Sequence, residues 1–248
     1  MRNLRISLCI AGLAVAVAGC SVFAPKMTKD ELLANIKQQV DPNSKLKAAK
    51  TKVIIGKVNR GSKLEPGRII IKVKHPDKWR MLAIVPKVGI FIRAYDGKVG
   101  WEFSTKTGYQ ELKGKHLDEL RLQTALAVHR GNYKEVFQSV KFDGEEKVVG
   151  ELCYKIIAQP KATYNSQPVI FYINKATFLP FMTKETYDGS KGTFPLITIF
   201  SDYKKHDGVM IPMTRIFDIN NKLIDVTVQS VEWNEYIDDA DFSPPEQF

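Results

Sequence analysis

Cysteine is scarce in this chain, long apolar runs are missing, and no catalytic or metal motif is present; each lack removes a class of protein. Three cysteines among 248 residues make no disulfide framework, so stability has to come from a packed core. Cys9 lies inside an apolar leader, Cys20 ends it, and Cys153 sits in the strand-like Leu152-Cys153-Tyr154-Lys155-Ile156, a setting for a buried, inert thiol. The main apolar stretch, Ile6–Ala18, has thirteen residues and as a helix would cover about 20 Å. A bilayer core of about 30 Å needs roughly twenty, so no membrane-spanning helix is expected.

The same sparseness extends to chemistry. His75, His116, His129 and His206 fall at no metal-ligand spacing, and HExxH, GxSxG, P-loop and dinucleotide patterns are missing. His206-Asp207 resembles a metal-phosphohydrolase dipeptide but occupies an evident turn, Lys204–Gly208. Asp238-Asp239-Ala240-Asp241 lacks the alternating ligands of a calcium loop and reads as a solvated turn. No catalytic residue, metal or cofactor is expected, and the chain is not read as an enzyme. The formal charge of +10 comes from lysines spread along the sequence without interleaved aromatics. That argues against nucleic acid and suits contact with anionic lipid headgroups.

What is present begins at the N-terminus. Arg2 and Arg5 precede the apolar run, and Val17-Ala18-Gly19-Cys20 resembles the bacterial lipobox. An ordinary signal peptide cut near Ala18 or Ala24 is the competing reading. On the lipobox reading, residues 1–19 are a signal peptide, Cys20 is the lipid attachment site, and residues 20–27 are a tether. Residues 28–248 form a single domain. Several acyl chains on Cys20 would hold the chain firmly, at about 0.8 kcal/mol per buried methylene. Ser21 follows the anchor where an aspartate would resemble an inner-membrane retention signal, so the periplasmic face of the outer membrane is expected.

Thr28-Lys29-Asp30-Glu31 reads as a capping box, and Leu32, Leu33, Ile36 and Val40 share one helical face that stops before Pro42. From Thr51 the apolar period changes to two. Strands are predicted over 52–59, 67–74, 78–85, 89–95, 98–103, 147–150, 152–158, 168–174, 178–187, 194–204, 209–218 and 222–233. Asp-Gly pairs at 96–97, 143–144, 188–189 and 207–208, with Asn220-Asn221, supply hairpin corners. A helix between Gly114 and Gly131 interrupts the series, and a short one with Tyr133, Val136 and Phe137 on its face follows. The fold class is mainly β with helices (α+β): a large antiparallel meander forming an incomplete β-barrel covered by two or three helices.

Trp79 and Met81 alternate on one face of their strand, as do Ile92, Trp101 and Phe103, Phe171, and Val226 on theirs. These are the candidates to line an interior. Two readings stay open: a filled core, or a partly open barrel with an apolar cavity for lipid.

Several stretches resemble the lipoprotein-localisation-factor superfamily, the LolA/LolB-like fold. They are Tyr95-Asp96-Gly97 before Gly100-Trp101-Glu102, Gly114 leading into Leu117 and Leu120, and Asp202-Tyr203 through Asp207-Gly208-Val209 to Pro212. The closing Ile237–Pro245 is similar as well. The resemblance implies a half-barrel, lidded by helices, that holds the acyl chains of a lipoprotein or lipid in transit, and Cys20 favours a membrane-bound receptor over a soluble carrier. The alternative is a non-enzymatic envelope module with a filled core that acts on a protein partner.

Overall fold

The computed structural model describes residues 27–59, 65–130, 132–189 and 192–245; the expected signal segment and the expected lipid attachment site, Cys20, lie outside them. Helix α1 (Lys29–Val40) opens with the expected capping box. Thr28 Oγ1 accepts from Glu31 N at 3.3 Å, and Glu31 Oε2 accepts from Thr28 N at 2.8 Å. The single-turn α2 (Lys45–Ala48) was not predicted. Asp41 holds it through bonds of 2.8 Å from Lys45 N and Leu46 N.

The chain then forms β1 (Thr51–Asn59), β2 (Gly67–Lys74), β3 (Lys78–Val85), β4 (Gly89–Tyr95), β5 (Gly100–Ser104) and β6 (Gly108–Glu111). Helices α3 (Gly114–Val128) and α4 (Tyr133–Val136) follow. The second series is β7 (Phe137–Val148), β8 (Glu151–Pro160), β9 (Val169–Asn174), β10 (Pro180–Gly189), β11 (Gly192–His206), β12 (Val209–Ile219) and β13 (Lys222–Trp233). All thirteen make one antiparallel sheet, ordered β6-β5-β4-β3-β2-β1-β13-β12-β11-β10-β9-β8-β7. The edges β6 and β7 do not pair, so the barrel is incomplete, as the sequence pattern predicts.

Two segments differ from expectation. Strand β6 is four residues at the sheet edge, too short to show a period. Strand β7 is longer than predicted because Asp143-Gly144 is not a corner. It forms a bulge between Phe142 and Glu145 within the β7–β8 ladder, and the hairpin turns instead at Val149 and Gly150, both at positive φ. A bulge and a tight turn need the same left-handed backbone, which glycine supplies in either place.

The sheet has to curl. Strands β4 and β10 are seven steps apart in the order, about 34 Å in a flat sheet at roughly 4.8 Å per strand. Yet Arg93 of β4 donates a hydrogen bond to the Tyr187 hydroxyl of β10, and α3 touches both β2–β5 and β10. The two arms therefore wrap around α3. One of its sides packs Leu120 and Val128 against Val73, Trp79 and Leu112. Another packs Leu122 and Ala125 against Phe137, Ala158 and Val169. Helix α1 seats Leu32 and Ile36 on Tyr154, Ile156 and Ile173 of the far arm.

The opposite, convex face carries the C-terminal segment. Its acids are not a free solvated turn: Asp239 pairs with Lys74 at 2.7 Å and Lys78 at 3.1 Å, and Asp241 pairs with Lys72 at 2.8 Å. Phe242 is fully buried there, and its carbonyl accepts a 2.8 Å bond from Trp101 Nε1.

Gly56 sits where β1 meets an irregularity in its pairing with β13. A Cβ there would lie 2.5 Å from the Thr227 carbonyl oxygen, a backbone atom that cannot rotate away. Gly56→Ala should destabilise the protein by about 1–3 kcal/mol, lowering the melting temperature by roughly 2–4 °C per kcal/mol. Unchanged calorimetric melting would contradict the close β1–β13 approach.

Candidate functional site

The groove between the helices and the concave face is the candidate site. Trp79, 3% exposed, lies under α3, and Met81 packs beside it. Met81 also reaches the cluster of Val58, Ile69, Val85 and Val226, so three of the predicted interior residues are brought near one another. Phe171 lies further along the groove, edge-on to Phe137 at 5.8 Å and to Tyr133 at 6.1 Å.

Ile92, Trp101 and Phe103 do not join them. Trp79 pairs with Tyr95, and Tyr95 with Gly100, while Ile92 pairs with Phe103 and Ala94 with Trp101. Gly100 faces α3, since a Cβ there would meet Leu117 Cδ1 at 2.7 Å and Leu120 Cδ2 at 2.9 Å. Its neighbour Trp101 therefore points outward, with Phe103 and Ile92 in the same phase. Alternation groups side chains correctly but carries no mark of which face is inside; the glycine under α3 was the missed signal.

The expected roomy cavity is not seen. The two best-formed cavities among the described residues measure about 20 Å³ each. That is room for about one water, whereas ligand pockets run to about 300 Å³ and more. One is apolar, between Leu33 and Ile36 of α1, Tyr133 of α4, and Phe137, Ile156 and Phe171 of the sheet. The other is lined by Lys52, His75, Val128, Arg130 and Trp233.

Polar and charged side chains missed from sequence stand inside this groove. Lys52 is in register with Val73 and Trp233 on the inner face and is 7% exposed. Its Nζ donates to the Ala127 carbonyl at 3.3 Å. Burial, then repulsion by Arg130 and Arg215, pulls its affinity for a proton well down. Arg215 pairs with Val226 on the same face. Burial and then Arg130 lower its guanidinium to about 10, while Tyr203 works the other way. Arg215 keeps part of its surface open, yet its Nε and Nη2 are shielded from solvent and without a partner. A second polar station lies on the opposite side, where Arg93 meets Tyr187 and donates to the His116 carbonyl at 3.3 Å. Glu185, two residues from Tyr187, belongs there, and burial pushes its carboxyl up to about 7.

The groups considered for chemistry take other places. Cys153 is buried on the convex side with Tyr172 and Met182, and burial pushes its thiol up to about 11. Asp207 bonds Lys45 at 2.9 Å, tying a hairpin to α2. Among the described residues no group of three or more His, Cys, Asp or Glu is placed to hold a metal, and no helix is long and apolar enough to cross a membrane.

Neither a family profile nor a curated protein sequence matches the chain. Solved structures do. A LolA superfamily protein from Nitrosomonas europaea is 13% identical, with a TM-score of 0.54, over 88% of this chain and 98% of that one. A DUF1329 family protein from Desulfovibrio piger is 14% identical with a TM-score of 0.54, over 86% and 95%. An outer-membrane lipoprotein-sorting protein domain from Vibrio parahaemolyticus is 12% identical with a TM-score of 0.52, over 84% and 97%. At these identities the likeness is one of fold alone: the chain shares the fold of these three proteins.

Glu185 gives the site a pH signature. Its folded carboxyl holds a proton up to about 7, while an unfolded glutamate loses it near pH 4.3. The folded state thus binds the extra proton between about 4.3 and 7, and stability falls as pH rises through that window. Glu185 is part-exposed, so only part of the shift counts. Glu185→Gln should melt about 3–6 °C above the parent at pH 8 and together with it at pH 4. Equal melting at both pH values would contradict a Glu185 carboxyl raised by partial burial.

Proposed function

We propose that this protein is a lipid-anchored envelope protein that takes up acyl chains in the groove beneath α1, α3 and α4, in lipoprotein or lipid transfer. The observation that carries the reading is the apolar seam between α1 and the floor of β7–β9, which Phe171 helps to line, in a fold shared with a lipoprotein-sorting domain. The groove is closed in this form, so uptake requires α1 to lift.

Energetics allow that step. Helix α1 buries Leu32 and Ile36 and packs the half-buried Leu33 and Val40 beside them, which at roughly 1.5–3 kcal/mol per full burial hold it by about 5–9 kcal/mol. An acyl chain that buries about twelve methylenes gains roughly 10 kcal/mol at 0.8 each. Gain and cost are thus of similar size, and an empty protein closes over its own apolar surface. Transfer is passive: the chain moves toward whichever acceptor binds it more tightly. The anchor at Cys20 and the basic surface keep the groove beside the membrane.

A second reading, an envelope module that acts on a protein partner through its surface, is favoured by one observation. The two best-formed cavities among the described residues hold about one water each.

Saturable binding separates the two. The full chain carrying Cys20→Ser, delipidated, should bind a fluorescent lipopeptide saturably. Phe171→Asn should weaken that binding at least about tenfold, whereas Trp101→Phe on the convex face should leave it unchanged. A well-folded protein without saturable uptake would leave the partner-binding module in its place.

The anchor is tested by cell fractionation. Cys20→Ser should move the protein from the outer-membrane fraction to the soluble periplasm and abolish metabolic lipid labelling. A wild type without lipid, and a variant that still sediments with membranes, would refute the lipoprotein assignment.

A further inference from the structure

Lys52 of β1, Arg130 just beyond α3, and Arg215 of β12 bring three cations from three elements to the concave side. Lys52 and Arg130 line the same small cavity with Trp233, and Arg215 stands on the same concave face opposite Val226, with its Nε and Nη2 shielded from solvent. Among the described residues no carboxylate pairs with any of the three. The acids facing the groove, Glu119 and Glu185, act on Tyr187 at the other polar station. Buried cations held together without an anion are costly, since each loses hydration and gains no opposite charge. Arg215 Nε and Nη2 and Trp233 Nε1 are in addition shielded donors with no acceptor. A set of groups that only donate, and only repel one another, is satisfied by an anion with several oxygens.

The apolar seam lies next to this cluster. Tyr133 lines the seam together with Phe137 and Phe171, and its phenol feels the charge of Arg130. One side chain thus borders both an apolar space and a cationic one.

We propose that Lys52, Arg130 and Arg215 bind the anionic head of the acyl ligand, a carboxylate or phosphate, while its chain lies along Phe171. This rests on the acyl-uptake reading above and adds to it the ligand's class: an amphiphile with an oxyanion at one end. In the closed form the cavity beside Lys52 and Arg130 admits about one water, so the head enters as the C-terminal end of α3 draws back.

The test uses the full chain carrying Cys20→Ser, with dodecanoate, dodecyl phosphate and dodecanol displacing a fluorescent acyl probe, and inorganic phosphate alone followed by thermal melting. The two charged amphiphiles should displace the probe at concentrations at least about tenfold below dodecanol, the scale of charge-assisted hydrogen bonds. Arg215→Met and Lys52→Met, which keep volume and remove charge, should bring that preference below about twofold without weakening dodecanol. Melting of each variant at or above the parent temperature verifies that it is folded. Equal displacement by dodecanol and dodecanoate, with no effect of phosphate, would overturn the head-group site and leave acyl uptake standing. If phosphate raises the melting temperature of the parent but not of Arg215→Met, and no amphiphile displaces the probe, the cluster binds free anion and the uptake reading fails. No response to any of the four overturns both.

Discussion

β1 and β13 pair in the middle of the sheet although they are the first and last strands of the chain. That pairing decides the rest of the architecture. The first series of hairpins grows outward from the centre to one edge, so the second has to begin at the other edge and work back to the centre. The connection between edges is α3 with α4, and a connection of that length reaches only across the concave side. The helix is therefore enclosed by the two arms, which explains why it buries residues on more than one flank. The C-terminal segment leaves the same central strand and is left the convex face, where Phe242, Trp101 and the lysine–aspartate pairs hold it.

Enclosing a helix in an unclosed barrel yields a groove filled by that helix. Its apolar clusters are well packed, as any core has to be. Its polar stations are not arranged as a core would arrange them. Lys52 and Arg215 repel one another inside the groove, and burial raises the proton affinity of Glu185. A purely structural interior would replace such groups with apolar side chains at no loss and often with a gain in stability. Their presence fits a surface that spends part of its life facing a ligand with a charged end and an apolar body. The same division explains the small cavities, since apolar walls without a guest close on each other.

Much of the meander was legible because hairpin chemistry is local. Asp207-Gly208 and Asn220-Asn221 take the positive φ angles that tight turns need, and the strands between them have clear period-two patterns. The α1 capping box and the span of α3 were legible for the same reason. Strand β7 was not, because it is an edge strand whose residues are mostly half-buried or exposed on both sides, and edge pairing leaves little apolar trace. The orientation of β5 was hidden for a different reason. Trp101 and Phe103 form as good an apolar row as Trp79 and Met81, and only the three-dimensional course of α3 over Gly100 decides which row is enclosed. Signals for the charged groove did exist: Lys52 is in phase with Ile54 and Val58, and Arg215 with Phe217 and Ile219. A cation on an otherwise apolar row is visible in sequence, but its partners come from strands that only the curled sheet brings together.

Native mass spectrometry of the protein extracted from its own envelope tests the central claim most directly. The expected result is a population carrying, beyond the covalent lipid at Cys20, one noncovalently held acyl lipid with an anionic head, released when Arg215 is replaced. A protein that retains only its covalent anchor, from the wild type and the variant alike, would contradict an interior built to receive acyl chains.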